Sequence, residues 1–300
     1  MLKQQSLTEH LELIAKQVVE GFIIGLHKSP FHGFSVEFAE HRLYNQGDPL
    51  RHIDWRVYGR TDKLFIKRFE EETNLRCCLV VDTSSSMHFP QDDKKMSKLQ
   101  FACLSAASLL QLLKRQLDAG CLALFDEDVY YLSDCRSALS HYRMLTNQLE
   151  RTLQQNRENK KTNAAAALHQ VAEQMHKRSL IVVFSDMMDD SEHIDDLFSA
   201  LQHLKYNKHE VILFHIIDGK QELAFDFENR PYEFVDMESG DRIKLQPQQI
   251  KEEYVSRMKA FNEMVENKCH QYRVDRVAVD LSEPVDQVLY SFLLKRNKMV

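Results

Sequence analysis

Glycine and proline are scarce in this 300-residue chain, at 8 and 6 residues. No Ser- or Pro-rich tract separates its apolar segments, so the sequence offers no flexible interdomain linker. It also lacks any uninterrupted apolar run of the about 20 residues that cross a bilayer. The 39 Lys and Arg against 45 Asp and Glu leave a formal charge of -6, which argues against the clustered basic surface that counterion release from nucleic acid requires. Six cysteines, at 77, 78, 103, 121, 135 and 269, contain no C-x-x-C pair. Most sit within apolar strand or helix patterns and read as buried free thiols in a reducing compartment. Neither G-x-x-x-x-G-K-[ST] nor G-x-S-x-G occurs, which removes an intrinsic P-loop ATPase and a serine hydrolase. At the N-terminus Leu11, Ile14, Val18 and Phe22 recur at helical spacing, but Glu9, Glu12, Lys16 and Glu20 interrupt them. That pattern predicts an amphipathic helix rather than a signal peptide, and the expected location is cytoplasmic.

What the chain does have, from residue 76 onward, is a regular alternation of apolar runs and amphipathic stretches. Strand 76-82 is followed by a helical pattern in which Leu99, Ala102, Cys103, Ala106, Leu109, Leu110 and Leu113 share one face. Residues 121-125 and 129-132 flank Asp126-Glu127-Asp128 as a hairpin. Helices near 140-155, 163-177 and 193-207 then alternate with apolar strands at 179-184 and 211-217. Such alternation implies a mainly parallel, doubly wound α/β sheet. Residues 223-245, with Phe225, Phe227, Tyr232 and Phe234, interrupt it as a small β excursion. A long helix from Pro247, a last strand at 274-281 and a terminal helix opened by Pro284 complete the pattern.

The richest segment is Asp82-Thr83-Ser84-Ser85-Ser86, directly after the apolar run Cys77-Cys78-Leu79-Val80-Val81. An Asp and two hydroxyls at spacing two fall on the turn that leaves a strand's carboxyl end, where open α/β sheets place ligands. One carboxylate with two neutral hydroxyl oxygens suits a hard cation such as Mg2+, which keeps several waters. Thr162, ahead of the helix start Asn163-Ala164, adds a possible third hydroxyl. Asp186, after the strand ending at Phe184, adds a second carboxylate at a strand end. Three loops thus deliver oxygen donors at equivalent points of a repeating strand-helix pattern. Read singly, the Ser/Thr-rich turn over 82-86 caps the next helix, Thr162 is an N-cap and Asp186 is a loop acid.

These residues resemble the von Willebrand factor A fold. Asp82, Ser84 and Ser86 match its Asp-x-Ser-x-Ser element, Thr162 its threonine loop, and Asp186 its later aspartate. Upstream, Gly33-Phe34 through Glu37-Phe38, Arg42, Tyr44, Gly47-Asp48-Pro49-Leu50-Arg51-His52-Ile53-Asp54-Trp55 and Arg60 look like the signature of the bacterial family catalogued as domain of unknown function 58. Gly59 stands where that family usually has Ala, and Lys160-Lys161 where it tends to have Gly-Gly. The resemblance implies an N-terminal helix and signature extension over 1-75 and a von Willebrand factor A-like domain over 76-300, with the excursion at 223-245. It further implies a site of Asp82, Ser84, Ser86, Thr162 and Asp186 for Mg2+ or Mn2+, and a MoxR-type AAA+ ATPase as partner in assembly or maturation of a client protein. Within the signature, Trp55 and Asp54 are expected to pack structurally, because a lone Trp is usually largely buried.

The expected function is therefore a non-enzymatic, metal-dependent protein-binding module. Its rival is a Mg2+-dependent phosphohydrolase on a similar sheet. That chemistry wants a second carboxylate two residues after a nucleophilic Asp, and here the position holds Ser84, whose hydroxyl cannot shuttle the proton.

Overall fold

The apolar runs that read as strands form the middle of a sheet, and the amphipathic stretches cover it. A computed structural model describes residues 10-23, 35-44, 53-72, 75-92, 95-155, 162-188, 194-237 and 240-299. In chain order the helices are α1 (Leu11–Ile23), α2 (Trp55–Thr61), α3 (Lys98–Arg115), α4 (Leu139–Gln154), α5 (Ala164–Gln174), α6 (Ile194–Tyr206), α7 (Pro247–Tyr272) and α8 (Val285–Met299). The strands are β1 (Ser35–Leu43), β2 (Phe65–Glu72), β3 (Arg76–Asp82), β4 (Ala119–Phe125), β5 (Val129–Leu132), β6 (Leu180–Ser185), β7 (Glu210–Ile217), β8 (Tyr232–Val235), β9 (Arg242–Leu245) and β10 (Asp275–Asp280). The chain divides into two units, Met1–Pro30 with Arg76–Val300, and Phe31–Leu75.

In the larger unit six strands lie in the order β10-β7-β6-β3-β4-β5. The pairs among β10, β7, β6, β3 and β4 are all parallel, and β5 joins β4 antiparallel across the expected hairpin. Cys77–Val81 and Leu180–Phe184 are buried on both faces, as parallel strands covered by helices on each side must be. From β3 the chain moves to β4 on one side and later returns to β6 on the other. The order reverses between β3 and β6, so the crevice beyond their carboxyl ends is the topological switch point where such sheets bind ligands.

One face of the sheet presents Cys78, Val80, Cys121, Ala123, Ile181 and Val183 to α5, α6 and the end of α7. On the other, α3 packs on β3 and β4 and is itself covered by α1, α4 and α8. The sequence pattern shows one apolar face for α3, whereas the structure buries nearly every residue from Lys98 to Leu113. The outer face is closed because α1 lays Leu11, Ile14, Ala15 and Val19 into the core. For the same reason α1 groups with the sheet unit. The β excursion is a turn over Gly219–Leu223 and the hairpin β8-β9. Its ring cluster rests on α7, with Phe225 stacked on Phe234 at 5.6 Å and against Tyr254 at 4.4 Å between centroids. All six cysteines are free.

The smaller unit is an antiparallel pair, β1 with β2, bulged between Phe38 and Glu40. It also holds α2, whose N-cap Asp54 accepts from the backbone N–H of Arg56 and Val57 at 3.0 and 3.2 Å. Asp54 is buried, as expected of a packing residue, but Trp55 is 63% exposed and meets Tyr58 edge to face. The expectation of a buried Trp55 fails because it follows the cap directly on a helix with no buried residue. Signature residues 33-34 and 45-52, and Lys160-Lys161, lie outside the described residues.

Candidate metal centre

Asp82 is the last residue of β3 and is fully buried at the switch point. The strand end is pinned to β4 by Thr83, whose N–H and hydroxyl both donate to the Phe125 carbonyl, at 2.8 and 2.7 Å. The chain then turns into a short 3-10 helix, Ser85–His88. The turn is tied by the Ser84 N–H, which donates to Asp82 Oδ1 at 3.0 Å. The hydroxyl oxygens of Ser84 and Ser86 come to 3.1 Å from each other. From the second loop, Thr162 reaches in with its Oγ1 3.4 Å from Asp82 Oδ1, a long contact. Its neighbour Asn163 does the capping, by accepting from the Ala166 N–H at 3.1 Å. Thr162 is therefore not the helix cap, and its hydroxyl points to the crevice carboxylate.

The third loop follows β6. Ser185 donates its hydroxyl to Asp82 Oδ2 at 2.7 Å and accepts from the Met187 N–H at 2.9 Å. Asp186 is fully buried. Its Oδ1 accepts from the Met188 N–H at 3.1 Å and its Oδ2 from the Lys98 ammonium at 2.8 Å. All five residues singled out in the sequence are thus brought to one place. The hydroxyls of Ser84, Ser86 and Thr162 stand beside two carboxylates that already accept hydrogen bonds.

Four participants were not legible beforehand. Ser185 sat unremarked beside Asp186. Lys98, at the first position of α3 behind a Ser97–Gln100 capping box, is wholly buried. Its ammonium joins Asp186 to Glu222, and Glu222 in turn accepts from the Asp218 N–H at 2.8 Å. A lysine in a helix's first turn opposes the helix dipole, and that oddity was the available signal. Nothing in the sequence pointed to Glu222. His215 on β7 is the fourth. Arg276 donates to its Nδ1 at 2.9 Å, so the proton sits on Nε2 and is donated to the Asp186 carbonyl at 2.9 Å. Burial, and then Arg276, push His215 down to about 4, so it is neutral at physiological pH.

The two crevice carboxylates are neutralised unequally. Lys98, held up at about 12 by Asp186 and Glu222 against its burial, neutralises part of that pair. It keeps Asp186 ionised below the usual carboxylate range. Glu222 is raised by burial. Asp82 has no Lys, Arg or His paired with it among the described residues, and burial together with Asp186 pushes it up to about 7. The donor chemistry fits a hard divalent ion that takes oxygen ligands. Among the described residues, no group of three or more His, Cys, Asp and Glu could hold a metal, so a zinc-type cluster is not what the crevice offers. Beside it a cleft of about 620 Å³ runs from Ser86, Met188 and Glu222 to Phe234, Val235 and Ile243 of the hairpin.

A mixed α/β unit with a mainly parallel six-stranded sheet, carrying an oxygen-donor crevice at its switch point, defines the class. The chain belongs to the family described as protein of unknown function DUF58, whose model matches residues 40-264. It is 34% identical over 100 residues to uncharacterized proteins of Mycobacterium tuberculosis and Mycobacterium bovis, covering 33% of this chain and 32% of theirs. The match thus spans about a third of the length of these curated relatives. Among solved structures, it is similar to the conserved hypothetical protein BatB of Bacteroides thetaiotaomicron, with TM-score 0.45 and 15% identity over 75% of this chain and all of that one. An aerotolerance-related membrane protein of Bacteroides fragilis matches with TM-score 0.47 and 14% identity, again over 75% of this chain and 100% of that one. No helix among the described residues is long and apolar enough to cross a membrane.

Proposed function

We propose that this chain is a non-enzymatic, metal-dependent protein-binding module with a von Willebrand factor A-like sheet domain, acting with a MoxR-type AAA+ ATPase in assembly or maturation of a client protein. The observation that carries the reading is a pair of hydroxyl oxygens, Ser84 and Ser86, 3.1 Å apart beside a buried carboxylate that no cation among the described residues neutralises. Adjacent ligands of an octahedral ion with bonds of about 2.1 Å are about 3.0 Å apart. Ser84, Ser86 and Thr162 would hold Mg2+ or Mn2+ directly, with Asp82 and Asp186 acting through hydrogen bonds from outside that set. The ion supplies an electrophilic position to which a partner carboxylate is drawn. The cleft toward Phe234 and Val235 then leaves room for the partner residues that flank it.

The phosphohydrolase reading draws no support from the geometry. Both Asp82 oxygens already accept hydrogen bonds, from the Ser84 N–H and the Ser185 hydroxyl, and the acid-base position is a serine. The reading is tested by capturing the purified ATPase on the immobilised chain, with Mg2+ and with excess chelator. Capture that needs the metal and is lost in Thr162→Ala supports it. Equal capture in chelator overturns it and moves the search to the exposed Trp55.

A further inference from the structure

Far from the crevice loops along the same strands, the turn that follows β5 brings two thiols together. Ser133 donates its N–H to the Leu122 carbonyl at 3.0 Å, continuing the β4-β5 ladder. The next rung joins Gly120 to Arg136, which exchange both N–H···O bonds, at 3.1 and 3.2 Å. Between these rungs one residue of β4, Cys121, faces two of the returning chain, Asp134 and Cys135. That two-against-one count is a β-bulge, a device that re-aims a side chain. Cys121 is buried among Cys78, Val183 and α5, and Cys135 packs against the same cluster, so the two side chains share a face of the sheet. In the reduced form the Cys121 thiol donates to Met175 Sδ at 3.6 Å and the Cys135 thiol to the Ala119 carbonyl at 3.2 Å. Residues opposed next to a doubly bonded pair have Cα atoms about 4.5 to 5.5 Å apart, inside the span a disulfide bridges.

We propose that Cys121 and Cys135 form an oxidant-responsive dithiol that closes to a cross-strand disulfide when a peroxide reaches Cys135. Cys135 is the entry point because it is only half-buried, whereas Cys121 is fully covered. The neighbouring Cys121 draws the Cys135 thiol below its ordinary pKa, while Cys121 is raised. The thiolate is the nucleophile. Cys135 Sγ attacks one peroxide oxygen, the O–O bond breaks, and the departing hydroxide takes a proton to become water, leaving a sulfenic acid. Cys121 Sγ then attacks that sulfur, and the S–O bond breaks. The Cys121 proton leaves with the hydroxide as a second water. The bridge fastens the residues after edge strand β5 to β4. Because the Cys121 sulfur also touches Met175 Sδ at 3.6 Å, just past the end of α5, closure bears on the helix whose other end carries the Thr162 loop.

The test is hydrogen peroxide added to the full chain, read by intact mass under non-reducing conditions. A loss of two hydrogens is expected, restored by a thiol reductant. Both cysteines fall in one tryptic peptide, 116-136, so a second cleavage after Glu127 must leave the two halves joined. Cys135→Ser, at the half-buried position, abolishes the loss. Cys121→Ala leaves a sulfenic acid on Cys135 that a dimedone reagent captures. A bridge that instead links Cys77 or Cys78, an unchanged mass, or oxygen addition at Cys135 with no bridge in the folded wild type each overturns the proposal.

Discussion

The crevice makes the stability of the metal-free protein fall with rising pH, in a way one substitution removes. Asp82 has its folded pKa raised from 3.8 to about 7 by burial and by Asp186. Between those values the native state keeps a proton that the unfolded chain has released, so stability declines as pH rises through this window and levels off above it. Three pKa units set a ceiling of about 4 kcal/mol. The titration is shared with Asp186, which Lys98 holds ionised, and we expect about half of that ceiling to be observed. His215 pulls the opposite way. Its folded pKa is depressed from 6.5 to about 4, so its contribution rises with pH over that interval, and the informative quantity is wild type minus Asp82→Asn. Urea unfolding from about pH 5 to about pH 8 measures it. The difference should move against wild type by about 2 kcal/mol across the range. If the proposed Mg2+ binds here it would compete with the Asp82 proton, so its affinity should rise by about tenfold per pH unit below 7 and flatten above. A difference curve that is flat or slopes upward refutes the electrostatic account of the crevice.

Further outcomes follow from the same contacts. Lys98→Met strands the Asp186 and Glu222 carboxylates in the core, and should cost about 3 to 5 kcal/mol in denaturant unfolding; a loss below about 1 kcal/mol would show that the triad is solvated. Ser84→Asp adds a charged ligand, so metal affinity should hold or rise while partner affinity drops; parallel loss of both would contradict the charge argument. The purified chain should turn over no generic phosphoester. Activity that survives gel filtration and vanishes in Asp82→Asn would promote the phosphohydrolase.

Much of the sheet was readable because its strands are buried on both faces. Leu180–Phe184 and Val211–Ile217 can only be central parallel strands, and the Asp126-Glu127-Asp128 turn marks where the sheet doubles back. The site was readable where donors follow such strands at short range, as Asp82 with Ser84 and Ser86 do. What periodicity could not show was tertiary closure. The outer face of α3 looks mixed, with Ser105, Ser108 and Gln111, yet it is buried because α1 arrives from the far end of the chain. Lys98 and Glu222 are 124 residues apart and are joined only by the fold. Residue type misleads at Trp55, because the seven-residue helix that carries it buries none of its residues. That Cys121 and Cys135 share one face of the sheet was equally hidden, because it depends on a bulge that shifts the register by one.

Calorimetric titration of Mg2+ into the wild type and into Ser84→Ala/Ser86→Ala, carried to millimolar metal, tests the central claim most directly. The account predicts binding of one ion to the wild type, and loss of that heat in a double variant that still unfolds cooperatively. Indistinguishable heats from the two proteins would contradict it.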